Sequence, residues 1–192
     1  MPDDIVLLRQ NDPRWGSKPL GNGALTIGRA GCLLTCMTMA ANFLRSTALT
    51  PDVVNEMCAT GGAFSGSFLI VEKAAEILSL HAPDSMRLRS KIGDLEIPIK
   101  IRAVLATRGI AIVHVDHDSA LPRGGDHQGD HFVLTLRRVT VPTGPAHFEC
   151  ADPAPKAIVW LDAGTCTGTA QWGAVRKTYR AVGVIPIFKR SS

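Results

Sequence analysis

No apolar run in this chain of 192 residues approaches the ~20 needed to cross a bilayer as a helix, which excludes a helical membrane span. The N-terminal "MPDDIVLLRQNDPRW" carries two early aspartates and only a short apolar run, so it lacks the basic start and apolar segment of a secretion signal. The expectation is a protein synthesised in the cytoplasm, acting at a cell wall only if released or delivered. The arithmetic of a disulfide framework is also missing. The five cysteines, at 32, 36, 58, 150 and 166, are odd in number and are expected to stay reduced. Repeats, low-complexity tracts and linkers are absent. The formal charge is only +4, with Lys and Arg scattered, so there is no basic stripe for nucleic acid and only a mild balance suited to an anionic partner such as a bacterial cell wall. What is present is ordinary for a globular protein: 45% apolar and 20% charged residues, on a length that suits one domain over 1–192 with a sizeable core.

Residues 11–31 are rich in Gly, Pro and Asn, and "NDPRWGSKPLGNG" reads as consecutive turns. Helical periodicity then begins. Leu33, Met37, Ala40, Ala41 and Leu44 fall at i, i+4, i+7, i+8 and i+11, one face of a helix running from Cys32 to about Arg45. Thr50-Pro51 supplies a cap and a first-turn proline for a short second helix. "GGAFSGS" ends it, and "FLIVEKAAEILSL" predicts a third. Later, "IPIKIRAVLATRG" predicts a helix closing at Gly109. "MRLRS", "IAIVHV", "HFVLTLRRVTV", "HFECADP", "AIVWL" and "YRAVGVIPIF" read as strands. Helices first and strands second predict an α+β protein, with N-terminal helices packed on a C-terminal antiparallel sheet.

The chemistry centres on "TIGRAGCLLTCMTMAANFLR", 26–45. Cys32 follows a glycine and opens the predicted helix. A helix N-terminus favours negative charge through its dipole and free N–H groups, which is what a nucleophilic thiolate needs. Cys36 lies one turn on, pointing inward with the apolar stripe, and a bridge within one helical turn is geometrically poor. Taken alone, Cys32 would be a small core residue. A thiolate enzyme also needs a base, a group orienting that base, and donors for the oxyanion. His131 starts a strand after a Gly-rich polar loop, a position that exposes an imidazole at a sheet edge. Asp152 ends the next strand, and antiparallel pairing would bring it to the level of His131. Gln10, ahead of the turn-rich segment, has an amide suited to an oxyanion hole. Singly these are an edge histidine, a turn-forming Asp-Pro and a surface glutamine; together they form a catalytic set.

"QNDPRWG…LG…TIGRAGCLLTCMTMAANFL" at 10–44, "HFVLTL" at 131–136 and "ADP" at 151–153 resemble the C39-like peptidase superfamily of papain-like cysteine peptidases. The resemblance implies Cys32 as nucleophile, His131 as general base, Asp152 as the residue orienting it, and Gln10 as oxyanion donor. It also implies a papain-like cysteine peptidase fold, with no metal and no organic cofactor. Bacteriocin-leader peptidases of the family often read Gly-Cys-Gly-Pro, whereas this chain reads "GCLLT". It therefore stands nearer the stand-alone bacterial and phage members, including cell-wall-lysing enzymes. The expected substrate is a peptide, with peptidoglycan peptides favoured. The alternatives are a protein- or leader-processing protease, an acyltransferase with the same triad, and a silent binding module.

Other signals are weaker. "DHDSALPRGGDHQGDH" gathers His117, His127 and His131 with Asp116, Asp118, Asp126 and Asp130. Its glycines oppose a helix, no Glu follows His127 as zinc-peptidase chemistry needs, and EF-hand spacing is absent. The segment reads as a solvated loop over the cleft. Cys58, Cys150 and Cys166 read as structural, and Trp15 as the anchor of its turn.

Overall fold

The computed structural model describes residues 5–83, 88–89, 96–116, 131–140 and 142–190. The N-terminal half carries α1 (Ile27–Ala30), α2 (Cys32–Arg45), α3 (Pro51–Thr60), a small hairpin of β1 (Phe64–Ser65) with β2 (Phe68–Leu69), and α4 (Val71–Ile77). Then come β3 (Leu80–His81), β4 (Leu88–Arg89) and α5 (Glu96–Ala106). They are followed by β5 (Ile110–Asp116), β6 (His131–Val139), β7 (His147–Asp152), β8 (Ala157–Asp162), β9 (Thr167–Trp172) and β10 (Val175–Lys189). Cys32 to Arg45 is helical as the periodicity predicts. Ser46 ends α2 in the left-handed conformation (φ 55°), its N–H bonded to the Asn42 carbonyl. The third predicted helix is shorter than its apolar pattern, because Phe68 and Leu69 pair with Ser65 and Phe64 in the hairpin.

The sheet differs from expectation in a decisive way. Its strands follow the order β3-β10-β5-β6-β7-β8-β9, and β9 pairs back onto β10. Strands β5 to β10 therefore close into a six-stranded antiparallel barrel. The expected α+β arrangement of N-terminal helices packed on a C-terminal antiparallel sheet is overturned, and so is the papain-like fold implied by the resemblance. The device that closes the barrel is β10. Its first half pairs with β9, from Val175↔Trp172 to Arg180↔Thr167. Its second half pairs with β5, from Ala181↔Val115 to Ile187↔Ile110, after a register shift between Ala181 and Gly183. Such an irregularity bends a strand and raises its twist, which lets one long strand serve two edges.

Side-chain alternation divides the core in two. Ala111, Val113 and Val115 of β5 join Val133, Phe148, Cys150, Val159, Leu161, Tyr179 and Ala181 in the barrel interior, with Ile97, Ile101 and Val104 of α5 packed into the same cluster. Ile110 and Ile112 face the other way. They join Leu134, Ala151, Ile185 and Ile187, together with Leu34, Met37 and Ala41 of α2, in a cluster between barrel and helices. Burial on both faces explains why β5 reads as an unbroken apolar run. Trp15 is buried, its indole N–H donating to the Arg9 carbonyl at 2.8 Å, so the turn-rich segment is pinned to this second cluster. No described helix is long and apolar enough to cross a membrane.

Candidate active site

The nucleophile candidate is placed by a junction of two helices. Gly31 is both the C-cap of α1 and the N-cap of α2. Its N–H bonds the Ile27 carbonyl at 2.7 Å, and its own carbonyl receives the Thr35 N–H at 2.8 Å. A Cβ at Gly31 would lie 2.5 Å from the Ile27 oxygen, so the close approach needs glycine. Cys32 then occupies the first turn of α2, where backbone N–H groups have no intrahelical acceptor and point toward any anion at the helix mouth.

His131 is the first residue of β6 and Asp152 the last of β7. Pairing of Leu134 with Ala151 and Thr135 with Cys150 brings both to the same end of the barrel. By alternation His131 shares the interior face with Val133, and Asp152 with Cys150. His131 Nε2 and Asp152 Oδ1 are 2.8 Å apart. The same oxygen accepts the Ala154 N–H at 2.9 Å. The other carboxylate oxygen, Oδ2, accepts a hydrogen bond from the Tyr179 hydroxyl. Cys32 acts on the same imidazole: with Asp152 it raises His131. The expected exposed edge histidine is in fact buried, at 3% exposure beside Asp152 at 1%.

This setting decides the charge of the imidazole. Burial pushes His131 down, but its hydrogen bond to Asp152 and the influence of Asp152 and Cys32 outweigh that. The result is a rise from 6.5 to about 9. His131 is thus a cation at neutral pH, the partner that a thiolate would require. Burial also acts on four thiols. It pushes Cys36 well up, Cys58 up to about 11, and Cys150 and Cys166 up to about 12. All five cysteines are free. Cys36 points inward as expected, its thiol donating to the Phe132 carbonyl at 3.4 Å.

Gln10 bridges the two halves of the site. Its backbone N–H bonds the Pro153 carbonyl at 2.9 Å, next to Asp152. Its side-chain Nε2 donates to the Gly28 carbonyl of α1 at 3.1 Å. That bond uses one amide proton and leaves the second to donate elsewhere. Gln10 Oε1 is buried without a hydrogen-bond partner among the described residues. Gln10 is therefore buried and held in place, at 7% exposure.

Cys32, His131, Asp152 and Gln10, singled out in sequence, are thus brought together at one end of the barrel. Tyr179 was not foreseen. It is the chain's sole tyrosine, buried between exposed Thr178 and Arg180. The signal that could have found it is the alternation through "KTYRA", which puts Tyr179 and Ala181 on one face. Among the described residues no three His, Cys, Asp or Glu side chains converge as a metal set. Residues 117–130, which hold most of the acidic, His-bearing loop, lie outside the described residues. No protein-family model matches the chain, and no curated protein matches it.

Proposed function

We propose that the protein is a cysteine peptidase or amidase that cleaves peptide bonds through an acyl-enzyme. The observation that carries this is the buried His131–Asp152 hydrogen bond with Cys32 acting on the same imidazole, and with Gln10 tethered both to the residue after Asp152 and to α1. The Cys32 thiolate attacks the substrate carbonyl carbon while His131 holds the sulfur's former proton. The oxyanion that forms is assigned to the mouth of α2, with the Cys32 backbone N–H and the second amide proton of Gln10 as its donors. On collapse the C–N bond breaks and His131 gives its proton to the leaving amine. His131 then takes a proton from water, which attacks the thioester and releases the acid and the thiol. The resemblance of the motifs to C39-like peptidases supports the reaction class without supporting the fold. An intact nucleophile, base, orienting group and amide argue for an enzyme over a silent binding module.

The favoured substrate is the peptide portion of peptidoglycan. A net charge of +4 and a pI near 8.9 suit an anionic wall polymer, and the "GCLLT" motif resembles that of stand-alone bacterial and phage members. Purified protein incubated with peptidoglycan should release fragments with new peptide termini, read by mass spectrometry and lost in Cys32→Ala. Gln10→Ala should lower kcat by roughly 10²–10³-fold with KM little changed, because an oxyanion donor acts only in the transition state. Fragments that persist in Cys32→Ala would overturn the mechanism, and a rise in KM at unchanged kcat would make Gln10 a substrate-binding residue instead.

A further inference from the structure

The carboxylate of Asp152 has three donors and no freedom left. Oδ1 is shared by His131 Nε2 and the Ala154 N–H, both within 2.9 Å, and Oδ2 is taken by the Tyr179 hydroxyl. Asp152 and Tyr179 are both fully buried, at 1% and 0% exposure. A buried carboxylate held on one oxygen alone can pivot about its Cα–Cβ and Cβ–Cγ bonds, and its grip on the imidazole pivots with it. A second donor on the far oxygen removes that motion. The Tyr179 ring also sits beside His131, with centroids 6.3 Å apart and planes 24° from parallel.

We infer that Tyr179 is the positioning residue of this site: its hydroxyl fixes the Asp152 carboxylate, which in turn holds His131 toward Cys32. The inference rests on the proposed Cys32–His131–Asp152 chemistry and adds a fourth member supplied by the strand that closes the barrel. Tyr179 acts through Asp152, as outer-shell partners act on the ligands they orient, where loss of the partner costs about 10–100-fold.

The substitution Tyr179→Phe keeps the ring and removes only the hydroxyl. The readout needs no substrate: the rate at which iodoacetamide alkylates Cys32, followed by peptide mapping from pH 6 to 9.5. The titratable groups about the pair among the described residues are Cys32 and Cys36 on α2, Cys150 on β7, and Tyr179 itself. In the unsubstituted protein Cys32 should alkylate much faster than Cys36, Cys58, Cys150 and Cys166 at neutral pH. Equal labelling of all five would sink the peptidase reading itself. In Tyr179→Phe, Cys32 should react roughly tenfold more slowly near pH 6.5, with the gap closing toward pH 9.5 as His131 itself loses its proton. A purely structural role would lower the melting temperature and leave this pH profile unmoved. The same substitution on an Asp152→Ala background should produce no further slowing, since the carboxylate it acts through is gone. A normal profile in Tyr179→Phe, or slowing that adds to that of Asp152→Ala, overturns the inference while leaving the triad standing.

Discussion

At the residue scale, the site depends on making a buried charge pair stable. His131 is raised from 6.5 to about 9 by Asp152 and Cys32 against the cost of burial. A base whose folded value lies above its unfolded one stabilises the fold fully below the unfolded value, and loses that contribution as pH rises through the folded value. The His131–Asp152 pair should therefore contribute in full below about pH 6.5 and fade through about pH 9. His131→Ala, which strands a buried carboxylate, should cost on the order of a few kcal/mol at pH 6. The gap between its melting temperature and that of the unsubstituted protein should narrow steadily toward pH 9.5. A gap independent of pH would mean that His131 contributes by packing alone. Surface pairs belong to another category. Arg14 bonds Asp12 at 2.9 Å while 69% exposed, and pairs of that kind add little to stability.

At the element scale, α1 and α2 act as one device around Gly31. The four-residue α1 is too short to be stable alone; the Thr26 hydroxyl caps it by accepting the Arg29 N–H. Its value is positional, because Gly28 offers its carbonyl to Gln10 while Ile27 offers its carbonyl to Gly31. Gly31→Ala would press a methyl group against the Ile27 oxygen at 2.5 Å. The two helices must then separate, carrying the Cys32 N–H away from Gln10. The expected result is a stability loss of about 1–3 kcal/mol and a fall in kcat of roughly 10²-fold, typical of a misplacement near 1 Å. Thermal melting with turnover on peptidoglycan fragments checks both. Full activity in a destabilised variant would mean that the junction supports the fold without aiming the nucleophile.

At the scale of the whole molecule, barrel closure and the site are linked through the β9–β10 hairpin. Gly168 of β9 lies opposite Tyr179 of β10 and opposite Leu161 of β8. A Cβ there would fall 2.1 Å from the Trp160 carbonyl oxygen, a backbone atom that cannot move aside without parting β8 from β9. Gly168→Ala should therefore loosen the barrel at this seam. Amide hydrogen exchange should rise along 167–180, and the Cys32 alkylation rate at neutral pH should fall with it. Exchange that rises while Cys32 keeps its rate would show that the seam and the site are energetically separate.

Much of this protein is encoded locally. The span of α2 follows from the spacing of Leu33, Met37, Ala40, Ala41 and Leu44, and Thr50-Pro51 marks the start of α3, because a helix that buries one face must repeat its apolar residues at that period. Strands β5 to β8 are legible from their β-branched and apolar runs. The pairing of His131 with Asp152 follows from antiparallel neighbours that start and end at one level. The closure of the barrel is not local. Strand β9, "TGTAQW", and the first half of β10, "VRKTY", are largely polar and carry no sustained apolar alternation, so nothing in either segment announces that it pairs with the other. That pairing follows from edge strands satisfying their backbone N–H and C=O groups, a requirement set by the assembled sheet. The contact between Tyr179 and Asp152, 27 residues apart, comes with it. The sequence determined which groups could do the chemistry; only closure of the barrel decided that a tyrosine from its last strand would hold the carboxylate in place.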